Sequence, residues 1–148
     1  LSEEDYMEAV MRLYEPTPRV ALGQALRGLA TSAIDISDGL LADLEHICAL
    51  SHVGATVEAD RLPVSAIGAA HIDSPAGLAA VAAGGDDYEL CFTAPENARD
   101  SIEDLTDMLG VPLTRIGEIR KGKGVSLLGG DGKTIAVDGR GFDHFTAA

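Results

Sequence analysis

Between residues 31 and 59 the spacing of apolar residues changes twice, and that change constrains the fold more than any other feature of the chain. Residues 31–36 form a short β-prone run. It leads straight into residues 37–50, where Leu40, Leu41, Leu44, Ile47 and Cys48 share one face of a 3.6-residue period. Asp43, Glu45 and His46 are expected on the other sides of this helix, with Gly54 as its C-terminal stop. Residues 55–59 then alternate like a strand. Strand, amphipathic helix and strand in direct succession require a helix packed on a sheet.

The flanking segments extend the pattern. Residues 2–14 read as a helix with Ser2 as N-cap and Glu3, Glu4 and Asp5 in its first turn, stopped by Pro16 and Pro18. Residues 20–29 suggest a second helix with Val20, Leu22, Leu26 and Leu29 on its apolar side. Short helices are expected near 65–70 and over 76–83, the latter ending at Gly84-Gly85. Residues 88–93 read as a buried strand, 97–109 as a helix closed by Gly110 and Pro112, and 114–119 as a strand. A hairpin with its turn at Gly130-Asp131-Gly132 follows, then a Gly-rich aromatic tail. The expected class is α/β (α+β): a layered sandwich whose sheet is mixed, because the hairpin adds an antiparallel part.

The chain has 148 residues, 46% hydrophobic and 24% charged, which suits one domain with a real core. Its formal net charge of −13 repels nucleic acid and anionic membranes, so neither is an expected partner. The same field repels polyphosphates, and a nucleotide would need cations or a focused set of N–H groups to bind here. Cys48 and Cys91 sit far apart in apolar stretches and read as buried free thiols in a reducing cytosol. No ligand spacing suggests zinc, and no apolar run reaches the length of a membrane span. No signal-peptide pattern is present. The chain begins at Leu1 inside a helical pattern and reads as a piece cut from a longer protein.

Two segments could carry chemistry. In Ile34-Asp35-Ile36-Ser37-Asp38-Gly39-Leu40, two carboxylates and a hydroxyl crowd the junction of an extended run and a helix. Hard cations such as Mg²⁺ take carboxylate oxygens, and a helix start offers N–H groups to phosphate. The plain alternative is that Ser37 or Asp38 caps the helix and Asp35 is solvated. In Gly84-Gly85-Asp86-Asp87-Tyr88-Glu89-Leu90, a Gly pair and two acids precede a strand, a natural ligand wall or an ordinary turn. His46 and His52 read as surface residues, and the later glycines lack the spacing of a P-loop. Residues 142–145 read as an aromatic tail that packs on the core or stacks on a heteroaromatic ring.

Taken together, residues 33–44, 84–92, 112–117 and 141–145 resemble the thiamine-monophosphate kinase family, in that order and over nearly the whole chain. This family lies within the aminoimidazole ribonucleotide synthetase superfamily. The resemblance implies the C-terminal α/β domain of a two-domain enzyme that moves the γ-phosphate of ATP onto thiamine monophosphate. An N-terminal ATP- and metal-binding domain would form a homodimer and complete the cleft, so residues 1–148 alone are expected to be inactive. By position, Asp35 and Asp38 correspond to Mg²⁺ ligands and Ser37 to an ATP contact. Asp86 corresponds to a substrate contact, often one methylene longer in the family, and Phe142 to an aromatic contact with thiamine. The resemblance further implies a cytoplasmic enzyme without a covalent catalytic residue. Other ATP-dependent enzymes of the superfamily, aminoimidazole ribonucleotide or selenophosphate synthetase-like, and a non-catalytic interaction module are the alternatives.

Overall fold

The computed structural model describes residues 2–137. Helices α1 (Glu3–Tyr14) and α2 (Val20–Ala25) precede strand β1 (Ser32–Asp35) and helix α3 (Leu40–Ser51). Strand β2 (Gly54–Glu58), helices α4 (Ala66–Ala69) and α5 (Pro75–Ala83), strand β3 (Leu90–Thr93) and helix α6 (Arg99–Leu109) follow. Strands β4 (Gly117–Arg120), β5 (Gly124–Leu128) and β6 (Thr134–Ile135) complete the described chain. The class is α/β, as expected.

The strands form two sheets rather than one. Four strands pair in the order β4-β2-β5-β6, with β2 antiparallel to β4 and parallel to β5, so this sheet is mixed. Strands β1 and β3 form a separate antiparallel ribbon in which Asp35 faces Leu90 and Ser32 faces Thr93. Burial accounts for the separation. Alternate residues of a strand point to opposite faces, and β3 uses both. Cys91 enters a core built by Leu40, Leu44, Ile47 and Cys48 of α3 against Ala55, Val57 and Leu127 of the larger sheet. Leu90 and Phe92 pack instead on Leu22, Leu26 and Leu105, from the α2 region and α6. The ribbon is therefore a partition between two cores, with apolar neighbours on either side.

Several element boundaries differ from the sequence reading: β3 begins at Leu90 rather than residue 88, α6 at Arg99 rather than residue 97, and β4 covers Gly117–Arg120 rather than 114–119. Helix α2 stops at Ala25 and closes through turns, with the Leu29 N–H bonded to the Leu26 carbonyl at 3.0 Å. Helix α3 ends at His52 (φ 55°), whose conformation lets the Val53 N–H reach the Cys48 carbonyl at 3.0 Å. A left-handed residue closes helices in this way, and Gly54 is left to open β2. The late start of α3 belongs to the site. Both cysteines are buried and free, and burial pushes the Cys91 thiol up to about 11. A thiol so far above neutral pH is a poor nucleophile.

Leu127 is 2% exposed and Leu50 is 84% exposed, so they test where the core lies. Leu127→Ala should lower the unfolding free energy by about 2–5 kcal/mol, read from the urea midpoint at constant slope. Leu50→Ala should stay within about 0.5 kcal/mol of wild type in the same measurement.

Candidate active site

Strand β1 ends at Asp35 and helix α3 begins at Leu40, and the residues between them are not helical. The N-cap of α3 is Gly39, and neither Ser37 nor Asp38 caps the helix as one reading of the sequence had it. No side chain caps the helix, and a carboxylate of its first turn instead ties down the loop ahead of it. Asp43 Oδ2 accepts hydrogen bonds from the backbone N–H of Ser37 (3.0 Å), Asp38 (3.1 Å) and Gly39 (3.2 Å). Asp43 is 2% exposed, so it lies against the core and not on the sides away from the apolar face, where the sequence reading put it with Glu45 and His46. The sequence did carry a signal. Asp43 stands three residues after Leu40 and four before Ile47, on the edge of the buried stripe. An acid there must find donors, because burying an unbonded carboxylate is very costly.

Gly39 makes the corner tight. Its φ of 118° is open to glycine, and a Cβ there would lie 2.6 Å from the Ala83 carbonyl oxygen at the end of α5. That packing brings the loop of residues 84–89 against the corner. The Asp86 N–H donates to the Ser37 carbonyl at 3.0 Å, and the Tyr88 N–H to the Ile36 carbonyl at 2.9 Å. The Ile36 N–H in turn donates to the Glu89 carbonyl at 2.9 Å. These bonds continue the β1–β3 ribbon past its regular end. They hold Asp86 (φ 66°) and Tyr88 (φ 51°) in the left-handed region. For a tyrosine that conformation is strained by roughly 1–3 kcal/mol.

The two acidic segments thus meet at one end of the ribbon. The Tyr88 hydroxyl donates to Asp86 Oδ1 at 3.2 Å. The phenol is raised above its ordinary range first by that bond and then by the Asp86 charge, with smaller contributions from desolvation, Asp35 and Asp38. One negative field therefore covers Asp35, Asp38, Asp86 and Tyr88. Asp35 is exposed, and Ser37 and Asp38 are half-buried. One ligand atom each from Asp38, Asp43 and His46 lies within 4.8 Å of the others. His46 is exposed, as expected, but it joins this acidic group. Carboxylate oxygens at this corner are of the kind that suit a hard divalent cation, but the acids brought to metal spacing are Asp38 and Asp43 with His46, and Asp35 is not among them. Phe142 lies outside the described residues.

A buttress stands beside the corner. Arg19 Nε and Nη2 donate to Glu89 Oε2 (2.8 Å) and Oε1 (2.7 Å), and Arg12 Nη2 adds a bond to Oε1 at 3.1 Å. The two arginines, Asp87 and Glu89 line a pocket of about 200 Å³. The hydrogen bond from Arg19 holds the Glu89 carboxyl below its usual range, against opposing desolvation. Desolvation raises Asp87. Sequence reasoning missed this pair, since nothing local links residues 19 and 89.

A family model described as "AIR synthase related protein, C-terminal domain" matches residues 3–130. The chain belongs to this family. Among curated relatives of this AIR synthase-related domain, the thiamine-monophosphate kinase of Salmonella typhimurium is 43% identical over 144 residues, which is 97% of this chain and 44% of that protein. The solved thiamine-monophosphate kinase of Stenotrophomonas maltophilia is 47% identical with a TM-score of 0.82, over 91% of this chain and 42% of that one. The structure of AaThiL complexed with AMPPCP and TMP is 28% identical with a TM-score of 0.74, over 94% of this chain and 41% of that one. These matches agree with the resemblance drawn from the motifs. The chain spans less than half the length of the relatives it matches.

The Arg19–Glu89 pair makes stability depend on acid. A carboxyl lowered in the folded state stabilises fully above its unfolded value, ordinarily 4.5, and that contribution disappears as pH falls through the lower folded value. Urea midpoints should therefore fall as pH drops below 4.5, and Glu89→Gln should flatten that fall.

Proposed function

We propose that this chain is the C-terminal α/β domain of a longer two-domain thiamine-monophosphate kinase, which transfers the γ-phosphate of ATP to thiamine monophosphate and yields thiamine pyrophosphate. The observation that carries this reading is the meeting of the Asp35–Ser37–Asp38 corner with the Asp86–Tyr88 loop through the bond from the Asp86 N–H to the Ser37 carbonyl. The named relatives support it, as does the solved relative complexed with AMPPCP and TMP.

Phosphoryl transfer asks a protein mainly for positioning and charge neutralisation. The acceptor is a phosphate, already nucleophilic at neutral pH, so no general base is required and no phospho-enzyme forms. The obstacle is repulsion between two anions, made worse by a protein of formal net charge −13. Mg²⁺, when bound, supplies the charge that lets the anions approach and stabilises the transferring group. Asp35 and Asp38 would hold it, with oxygen donors that suit a hard cation. The Ser37 hydroxyl would meet the nucleotide. Asp86, held by Tyr88, would accept a hydrogen bond from the thiamine part, and Phe142 would stack on it. The N-terminal domain would contribute further acidic ligands and the homodimer contact. Among the described residues no helix is long and apolar enough to cross a membrane; the cytoplasmic location belongs to the kinase reading itself.

In the full-length protein, Asp35→Asn and Asp38→Asn should each lower turnover by on the order of 100-fold or more, the scale of losing a key electrostatic contact. The exposed Asp35→Asn change should leave stability within about 0.5 kcal/mol. Near-normal turnover of both variants at limiting Mg²⁺ would remove the metal assignment. Wild-type protein should consume ATP with thiamine monophosphate but not with free thiamine. The isolated chain should form no thiamine pyrophosphate, and efficient production would contradict the two-domain reading.

A further inference from the structure

We infer that Asp43 is a positioning residue for the proposed reaction: its buried carboxylate fixes the backbone of residues 37–39, so that Asp35, Ser37 and Asp38 face the ligand in one arrangement. This inference rests on the kinase reading above.

Three observations carry it. First, a carboxylate is an expensive occupant of this position. Asp43 is 2% exposed and borders a stripe made by Leu40, Leu44 and Ile47. Removing a charge from water costs several kcal/mol unless hydrogen bonds replace the lost hydration. Second, its hydrogen bonds go to the ligand-bearing loop. The N–H groups of Ser37, Asp38 and Gly39 all converge on Oδ2 at 3.0–3.2 Å. Third, the constraint passes to the second acidic loop. The Ser37 N–H is held by Asp43, while the Ser37 carbonyl accepts the Asp86 N–H at 3.0 Å. Ser37 is thus clamped on both sides of its Cα, which fixes where its Cβ projects.

A contact that served stability alone would need no such arrangement. Gly39 is the N-cap residue of α3, yet the same carboxylate also reaches back to residues 37 and 38. Ligand atoms of Asp38 and Asp43 also lie within 4.8 Å of one another, so the Asp43 charge and geometry both bear on Asp38. Charge and geometry are separable. Asp43→Asn keeps the shape and removes the charge, whereas Asp43→Glu keeps the charge and displaces it by one methylene.

The test uses full-length protein and three measurements: amide hydrogen exchange at residues 37–39 without metal, Mn²⁺ binding by water-proton relaxation, and the Mg²⁺ dependence of thiamine monophosphate phosphorylation. In wild type the three amides should be protected, and exchange at the rate of free loop amides would overturn the inference without any variant. Asp43→Asn and Asp43→Glu should each speed their exchange by about tenfold or more. Both should weaken Mn²⁺ binding and raise half-saturating Mg²⁺ by roughly 10–100-fold, the range for groups that orient metal ligands. KM for thiamine monophosphate should stay within about twofold, since uniform substrate binding is untouched. A fall in stability with unchanged Mn²⁺ and Mg²⁺ dependence would reduce Asp43 to a structural role. If Asp43→Asn does not fold, Asp43→Glu gives the same readouts. Absence of kinase activity in wild type would sink the kinase reading alone, because exchange and Mn²⁺ binding still decide what Asp43 does.

Discussion

Asp43 sits in the first turn of α3 and turns its carboxylate back to the N–H groups of Ser37, Asp38 and Gly39. A helix start leaves N–H groups without partners, and short side chains ahead of the helix usually satisfy them. Here Asp43, in the first turn, binds instead the N–H groups of the loop that leads into the helix. Burial makes the arrangement firm. In a region of low dielectric a carboxylate gives up its hydrogen bonds only at high cost, so the loop has one stable course. The extension of the β1–β3 ribbon, the seating of Gly39 on Ala83 and the approach of Asp86 to Ser37 all depend on that course.

The charge distribution has the same logic on a larger scale. Acids crowd one end of the ribbon, and the Tyr88 phenol registers Asp86, Asp35 and Asp38 together. Repulsion of this kind destabilises a fold unless neighbouring groups restrain it. The Arg19 fork on Glu89 does so at the flank, tying the segment after α1 to the start of β3. Glu89 is paired with Arg19 at 2.7–2.8 Å, whereas Asp35 stays exposed. The fold thus separates acids that hold structure, Asp43 and Glu89, from acids that face outward.

Much of the fold was legible because periodicity is a local property. Apolar residues at 3.6-residue spacing placed α3, alternation placed β2, and the glycines at 130 and 132 placed the β5–β6 turn. What went astray was set by partners distant in sequence. The reading started α3 at Ser37, whereas the N–H groups of residues 37–39 turn to Asp43 instead of entering the helix. It assumed one sheet, whereas covering β3 on both faces split the strands between two cores. The site was half legible. Its acidic segments were visible as motifs, but the bonds joining them span about fifty residues and leave no periodic trace.

The sequence by itself determined the helices and strands, the acidic balance, the two segments rich in oxygen ligands and the family resemblance, because each is written in residue types and short spacings. The tertiary structure alone decided which acids are buried and which are open, that Asp38 and Asp86 share one field, and that Arg19 holds Glu89. Those outcomes depend on which groups lose water and which find partners when distant segments pack. Desolvation and hydrogen bonding are properties of the assembled interior, and a linear order of residues does not contain them.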